Sequence, residues 1–184
     1  SLDRGSSDVG RNGYGGTDAY VSIQELIGSN FNDWLQGDAN NNLILAGAGD
    51  DVVAGSGGSD VLDGGAGTNV LDYSAFNQAV VIDLLNGTVD KTAGGRDQIL
   101  NFTEAYGGAG DDTLIAKSGV TLHGGSGNDV LVGSTGSSTL DGGDGIDTVD
   151  YANLPQSVYV DLKTGFATGL TATYVNGRLT FTAV

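Results

Sequence analysis

GGAGDDTLI (Gly107–Ile115), GGSGNDVLV (Gly124–Val132) and GGDGIDTVD (Gly142–Asp150) share one nine-residue pattern: glycine at positions one, two and four, Asp at position six, an aliphatic residue at position eight. Between and around them the same register continues through the shorter AKSGVTLH (Ala116–His123) and through GSTGSSTLD (Gly133–Asp141). A second set lies upstream: GSNFNDWLQ (Gly28–Gln36), GDANNNLIL (Gly37–Leu45), AGAGDDVVA (Ala46–Ala54), GSGGSDVLD (Gly55–Asp63) and GGAGTNVLD (Gly64–Asp72). The aliphatic position reads Leu35, Ile44, Val53, Leu62 and Leu71, then Leu114, Leu122, Leu131, Leu140 and Val149. One such side chain in nine is too sparse for a helix, whose apolar face recurs every three to four residues. It fits a three-residue strand followed by a six-residue turn, the glycines supplying backbone conformations closed to other residues. Stacked units of this kind make two short parallel sheets around a thin aliphatic core, two nonapeptides to each coil.

A longer period of 78–79 residues runs over the short one. Gln78, Val80, Asp83, Leu84 and Gly87 recur as Gln156, Val158, Asp161, Leu162 and Gly165, while Asp18, Glu25 and Gly28 recur as Asp97, Glu104 and Gly107. The eight-residue unit Ala116–His123 accounts for the change of offset. The chain is therefore a tandem duplication, divided as a lead-in (1–27), a first roll with flanking strands (28–90), a second (91–169) and a C-terminal segment (170–184). Ser1–Gly5 reads as the tail of a preceding unit. Alternation of apolar and polar residues from Thr171 to Val184 around Asn176-Gly177 predicts a hairpin with a type I′ turn. The expected fold is all-β: a parallel β-roll, or β-solenoid, in two duplicated units with flanking strands.

Composition narrows the function. The 184 residues include 33 Gly, one Pro, one His, no Cys and no Met. Acids outnumber bases 23 to 7, for a net charge of −16, and all but Glu25 and Glu104 are Asp. Such charge opposes nucleic-acid binding and anionic membranes, and no stretch is apolar enough to insert in a bilayer. Thiolate and multi-histidine metal sites are excluded. Without methionine, the sequence reads as a mature piece or a fragment. No nucleophile elbow, zinc-binding helix or phosphate loop is present, so the chain is expected not to be an enzyme.

The thin core needs a staple, and position six supplies one. It is Asp33, Asn42, Asp51, Asp60 and Asn69 in the first set, and Asp112, Asp129, Ser138 and Asp147 in the second. Alternate units share an edge, so Asp33 stacks on Asp51, and Asp112, Asp129 and Asp147 form a column one strand spacing apart. Such a carboxylate ladder repels itself unless cations intervene. Calcium, which takes six to eight oxygens from carboxylates and turn carbonyls, is the expected cofactor.

These nonapeptides resemble the Gly-Gly-x-Gly-x-Asp-x-aliphatic-x calcium repeat of repeats-in-toxin (RTX), or hemolysin-type, proteins. The resemblance implies a right-handed roll, with calcium held by turn carbonyls and by side chains at positions five (Asn32, Asp50, Asp111, Asn128) and six. It also implies a larger host exported unfolded by a type I system and folded by extracellular calcium, hence a secreted or cell-surface location in a Gram-negative bacterium. The metal residues expected are Asn32, Asp33, Asp50, Asp51, Asp60, Asn69, Asp111, Asp112, Asn128, Asp129 and Asp147, for three to six ions. Asp33/Asp51, Asp112/Asp129 and Asp129/Asp147 are the strongest pairs. Asn42 and Asn69 weaken their sites, and the edge built from Ala116–His123 and Gly133–Asp141 lacks acids. Alternative functions are a segment of an adhesin or surface-layer protein, contacting polysaccharide or cell-surface material, and an accessory domain of a secreted polysaccharide-active or hydrolytic enzyme. Tyr73 and Tyr151 are expected as core plugs and His123 as a packing residue. Trp34 is expected to face outward and cover the roll end with Phe31, and Glu25 and Glu104 to cap the rolls.

Overall fold

The computed structural model describes residues 10–11, 17–18, 21–92, 94–161, 166–175 and 178–183. In chain order the strands are β1 (Gly10–Arg11), β2 (Thr17–Asp18), β3 (Glu25–Ile27), β4 (Trp34–Gln36), β5 (Leu43–Leu45), β6 (Val52–Ala54), β7 (Val61–Asp63), β8 (Val70–Asp72), β9 (Val80–Asp83), β10 (Thr88–Lys91), β11 (Arg96–Leu100), β12 (Glu104–Tyr106), β13 (Thr113–Ile115), β14 (Thr121–Ser126), β15 (Val130–Val132), β16 (Thr139–Asp144), β17 (Thr148–Asp150), β18 (Ser157–Asp161), β19 (Phe166–Val175) and β20 (Arg178–Ala183). No helix occurs among the described residues. Each of the ten nonapeptide strands begins at the seventh position of its unit (one place earlier in the short one), as the aliphatic period predicts.

The strands form a parallel β-solenoid. One sheet runs β3-β5-β7-β11-β10-β9-β13-β15-β17, and the facing sheet runs β4-β6-β8-β12-β14-β16. In-register pairing stacks Leu26 on Ile44 on Leu62 on Ile99, and Ile82 on Leu114 on Leu131 on Val149. Opposite them stand Leu35, Val53, Leu71, Ala105, Leu122 and Leu140. From Leu35 to Leu131 these side chains belong to one buried cluster. The two duplicated halves are thus one continuous roll, joined in both sheets by β8–β12 and β9–β13.

The join is irregular. After β8 the chain runs past two strand places to form β9, then fills them with antiparallel β10 and β11. The nine-stranded sheet therefore gains two strands that the six-stranded sheet lacks. Tyr73 and Phe102, both fully buried, sit in the connections entering and leaving this meander. They supply bulk where no facing strand exists. The meander also shifts the phase. The first nonapeptide strand of the first set, β4, lies in the six-stranded sheet, whereas its counterpart β13 lies in the other.

Pairing registers repeat with the duplication. Val80↔Lys91 and Asp83↔Thr88 in β9–β10 recur 78 residues on as Val158↔Gly169 and Asp161↔Phe166 in β18–β19. Val89↔Asp97 in β10–β11 matches Gly10↔Asp18 in β1–β2, 79 residues earlier. β19 and β20 form the expected hairpin, with Val175 opposite Arg178; the turn itself lies outside the described residues, as do Ser1–Gly5.

Turn glycines are required by close stacking. Gly65 has φ +72, and a Cβ there would lie 2.0 Å from the Gly47 carbonyl of the neighbouring coil. Position two of one turn rests directly on position two of the next, which leaves no room for a side chain.

Candidate metal centre

Positions five and six tie the coils together in opposite directions. At position six, each side chain accepts from the main-chain N–H of the coil before it: Asp33 N–H to Asp51 Oδ1 (2.9 Å), Asn42 N–H to Asp60 Oδ1 (2.8 Å), Asp51 N–H to Asn69 Oδ1 (2.9 Å), Asp112 N–H to Asp129 Oδ1 (2.8 Å) and Asp129 N–H to Asp147 Oδ1 (3.0 Å). At position five, each accepts from the coil after it: Asp50 N–H to Asn32 Oδ1 (2.9 Å), Thr68 N–H to Asp50 Oδ1 (2.8 Å), Asn128 N–H to Asp111 Oδ1 (2.7 Å) and Ile146 N–H to Asn128 Oδ1 (3.1 Å). The column expected for Asp112, Asp129 and Asp147, and the pair Asp33 and Asp51, are thereby brought together.

The inner carboxylates are deeply buried. Asp51 and Asp129 are 0% exposed, and Asp60 and Asp112 are 1% exposed. Burial, foremost, pushes the carboxyl groups of Asp60, Asp112 and Asp129 above the ordinary range, and the neighbouring Asp112 and Asp147 charges add to the effect on Asp129. Asp51 Oδ2 and Asp129 Oδ2 have no hydrogen-bond partner at all. A buried, unpartnered carboxylate oxygen is costly unless a cation meets it.

The glycine at position one exposes what that cation would meet. A Cβ on Gly124 would lie 2.3 Å from Asp129 Oδ2 and 2.4 Å from the Gly142 carbonyl. On Gly107 it would lie 2.5 Å from Asp112 Oδ2 and 2.3 Å from the Gly124 carbonyl, and on Gly28 2.8 Å from Asp33 Oδ2 and 2.1 Å from the Ala46 carbonyl. A carboxylate from one turn and a carbonyl from the next converge on the bare face of each glycine. Among the described residues no group of three His, Cys, Asp or Glu side chains is placed to hold a metal ion by side chains alone. The donor set is carboxylate and carbonyl oxygen, which suits a hard cation of variable geometry such as calcium.

Amide substitutions alter this chemistry. Asn69 Nδ2 donates to the carbonyls of Asn101 (3.1 Å) and Gly65 (3.4 Å), consuming oxygens that a cation would otherwise take. Asn42 Oδ1 accepts from the Asp38 N–H (2.8 Å), leaving its buried Nδ2 without a partner. Because of the phase shift, the acid-rich pairs lie on opposite edges of the roll. The Asp33/Asp51 edge continues into Val120 and Ser138, and the Asn42/Asp60 edge into Asp112, Asp129 and Asp147.

Residues outside the columns behave differently from one another. Tyr73 is fully buried as expected, whereas Tyr151 is half-buried against Gly133. His123 packs flat on Tyr106, with ring centroids 4.3 Å apart. Glu104 accepts from the Tyr106 hydroxyl (2.7 Å) and faces His123 Nε2 at 3.2 Å. Trp34 and Phe31 are 52% and 78% exposed, so they do not close the end of the roll. Asp97 and Lys91, both buried inside the meander, escaped the sequence reading. The signal was Asp97-Gln98-Ile99-Leu100, which repeats positions six to nine of a nonapeptide with Gly95 at position four, but with Thr92 and Ala93 in place of glycine at positions one and two.

A family model for the RTX calcium-binding nonapeptide repeat matches this chain in four copies, at residues 27–62, 46–77, 105–120 and 121–153, together more than half of its length. The chain belongs to the RTX calcium-binding repeat family. Calcium is accordingly the ion to which this family's stacked turns are suited. Among solved structures, the RTX chain is similar to the extracellular lipase LipA from Serratia marcescens, at 23% identity and a TM-score of 0.38. That match covers 72% of this chain and 29% of the lipase. No curated protein sequence matches the chain.

Proposed function

We propose that the chain is a non-catalytic calcium-binding module of a larger secreted protein, which stays unfolded where calcium is scarce and folds on meeting extracellular calcium. The observation that carries this reading is the pair of fully buried, partnerless oxygens on Asp51 and Asp129, each set between stacked turns. An apo roll keeps these charges at a cost; a calcium-bound roll turns them into cross-links, so binding and folding are one event. Ions sit between Asp33 and Asp51, between Asp112 and Asp129, and between Asp129 and Asp147, with turn carbonyls completing each shell. The exposed Asn32, Asp50, Asp111 and Asn128 line the outer side of these turns. The Asn42/Asp60 and Asp51/Asn69 pairs contribute weaker sites, for three to six ions in all. Sites of extracellular type have Kd values of about 10⁻⁴–10⁻³ M, which suits a switch between cytosol and exterior.

Far-UV circular dichroism during calcium titration of the chelator-treated chain tests this. A cooperative gain of β-signal between about 0.1 and 5 mM calcium, absent with magnesium, is expected. A spectrum already folded in chelator and indifferent to calcium refutes it.

One observation favours a second reading, a segment of a longer surface array. The registers of β1–β2 and β18–β19 repeat those of the central meander, so a unit of this kind can be stacked again on itself.

A further inference from the structure

Midway along the roll, a positive charge is already in place. Lys91, on β10, is 6% exposed. Its ammonium donates to Asp97 Oδ1 (2.6 Å), Asp97 Oδ2 (2.7 Å) and the Ser56 carbonyl (2.9 Å), and stands 3.6 Å from Asp60 Oδ2. Ser56 and Asp60 are positions two and six of the unit Gly55–Asp63. Asp97 is the sixth-position residue of the next coil, because Gln98, Ile99 and Leu100 pair with Val61, Leu62 and Asp63. The Asp60 N–H donates to Asp97 Oδ1 at 2.8 Å, as the Asn42 N–H does to Asp60 Oδ1. Four oxygens from two stacked turns thus surround one buried cation, and the Tyr73 hydroxyl donates to Asp97 Oδ2. Asp51 and Asp129 hold the same position in other coils and leave an oxygen bare. The duplication puts Gly169 and Asn12 where Lys91 stands, so neither equivalent position carries an ammonium.

We propose that Lys91 is a built-in cation that replaces a metal ion between Asp60 and Asp97, so that the middle of the roll is cross-linked without calcium, and that removing the ammonium opens a calcium site there. The proposal rests on the calcium reading of the other turns. A tethered ammonium is present at every calcium concentration. The coil it closes is the one where the regular stack is broken by the meander, and where a partner that could dissociate would leave two buried carboxylates facing each other.

A crystal structure of the whole chain grown in millimolar calcium decides the first half. Ions are expected in the Asp33/Asp51 and Asp112/Asp129/Asp147 turns, with Lys91 Nζ still between Asp60 and Asp97. An ion between Asp60 and Asp97 with Lys91 displaced overturns the proposal and leaves the calcium reading intact. No ion in any turn overturns the calcium reading and this proposal with it. Native mass spectrometry at saturating calcium decides the second half. Lys91→Ala should hold one ion more than the wild type, and Lys91→Ala/Asp97→Asn should return to the wild-type count. Equal counts for Lys91→Ala and wild type, or a Lys91→Ala chain that no calcium concentration folds, overturn the exchange of one cation for the other.

Discussion

At the residue scale, Asp129 carries the most. Its Oδ1 accepts from Asp112 and its N–H donates to Asp147, while its Oδ2 meets nothing. It borders two of the proposed ions, whereas Asp147 borders one. Asp129→Asn should therefore weaken calcium binding by the second set at least about tenfold, or about 1.4 kcal/mol, and Asp147→Asn by less; isothermal titration calorimetry on both variants would show the order. The metal-free state should also respond to acid in an unusual sense. Burial raises the Asp112 and Asp129 carboxyls above their ordinary value of 3.8. Between that value and the raised one, the folded chain binds more protons than the unfolded chain. Stability then falls as pH rises through this window and does not recover above it. In chelator, lowering the pH from about 7 toward this window should raise the β-signal of the calcium-free chain, read by circular dichroism. In saturating calcium, acid should instead lower the urea midpoint, because protons compete with the ion for the same oxygens.

At the scale of the element, the three-residue strands were legible because their two determinants are local. An aliphatic residue at position eight and glycines before it recur at fixed spacing, and β4 to β8 and β13 to β17 start where that spacing puts them, with β14 and β16 running on to six residues. The meander was not legible. β10 and β11 point Lys91 and Asp97 inward, so their buried faces do not read as apolar, and only their mutual pairing makes burial tolerable. The phase shift follows from the meander and was hidden with it. Hence the sequence reading paired the residues within each edge correctly but could not show that the two acid-rich runs lie on opposite sides of the roll. The strand core offers its own test. Leu122 is fully buried, between Ala105 and Leu140 in its sheet. Leu122→Ala should cost about 2–5 kcal/mol in calcium, read by urea unfolding. Gly65→Ala should destabilise the turns without touching a carboxylate, because its Cβ would meet the Gly47 carbonyl at 2.0 Å.

At the scale of the molecule, the question is whether the two halves fold together. Repeat proteins couple mainly through nearest neighbours, so a weak interface would let one half fold without the other. Here the interface is complete in both sheets. β8 pairs with β12 and β9 with β13, and the buried cluster runs unbroken from Leu35 through Tyr73 and Phe102 to Leu131. The Lys91–Asp97 pair sits at that junction, 2.6 Å between nitrogen and oxygen, fully inside. The acid-rich runs occupy opposite edges and opposite halves, so each half can be weakened alone. Asp51→Asn weakens the first and Asp129→Asn the second. With the interface intact, either substitution should move the whole calcium-induced β-signal to higher calcium as one transition. Circular dichroism titrations that instead split into two phases, only one of them shifted, would mean that the meander separates two folding units rather than welding them into one.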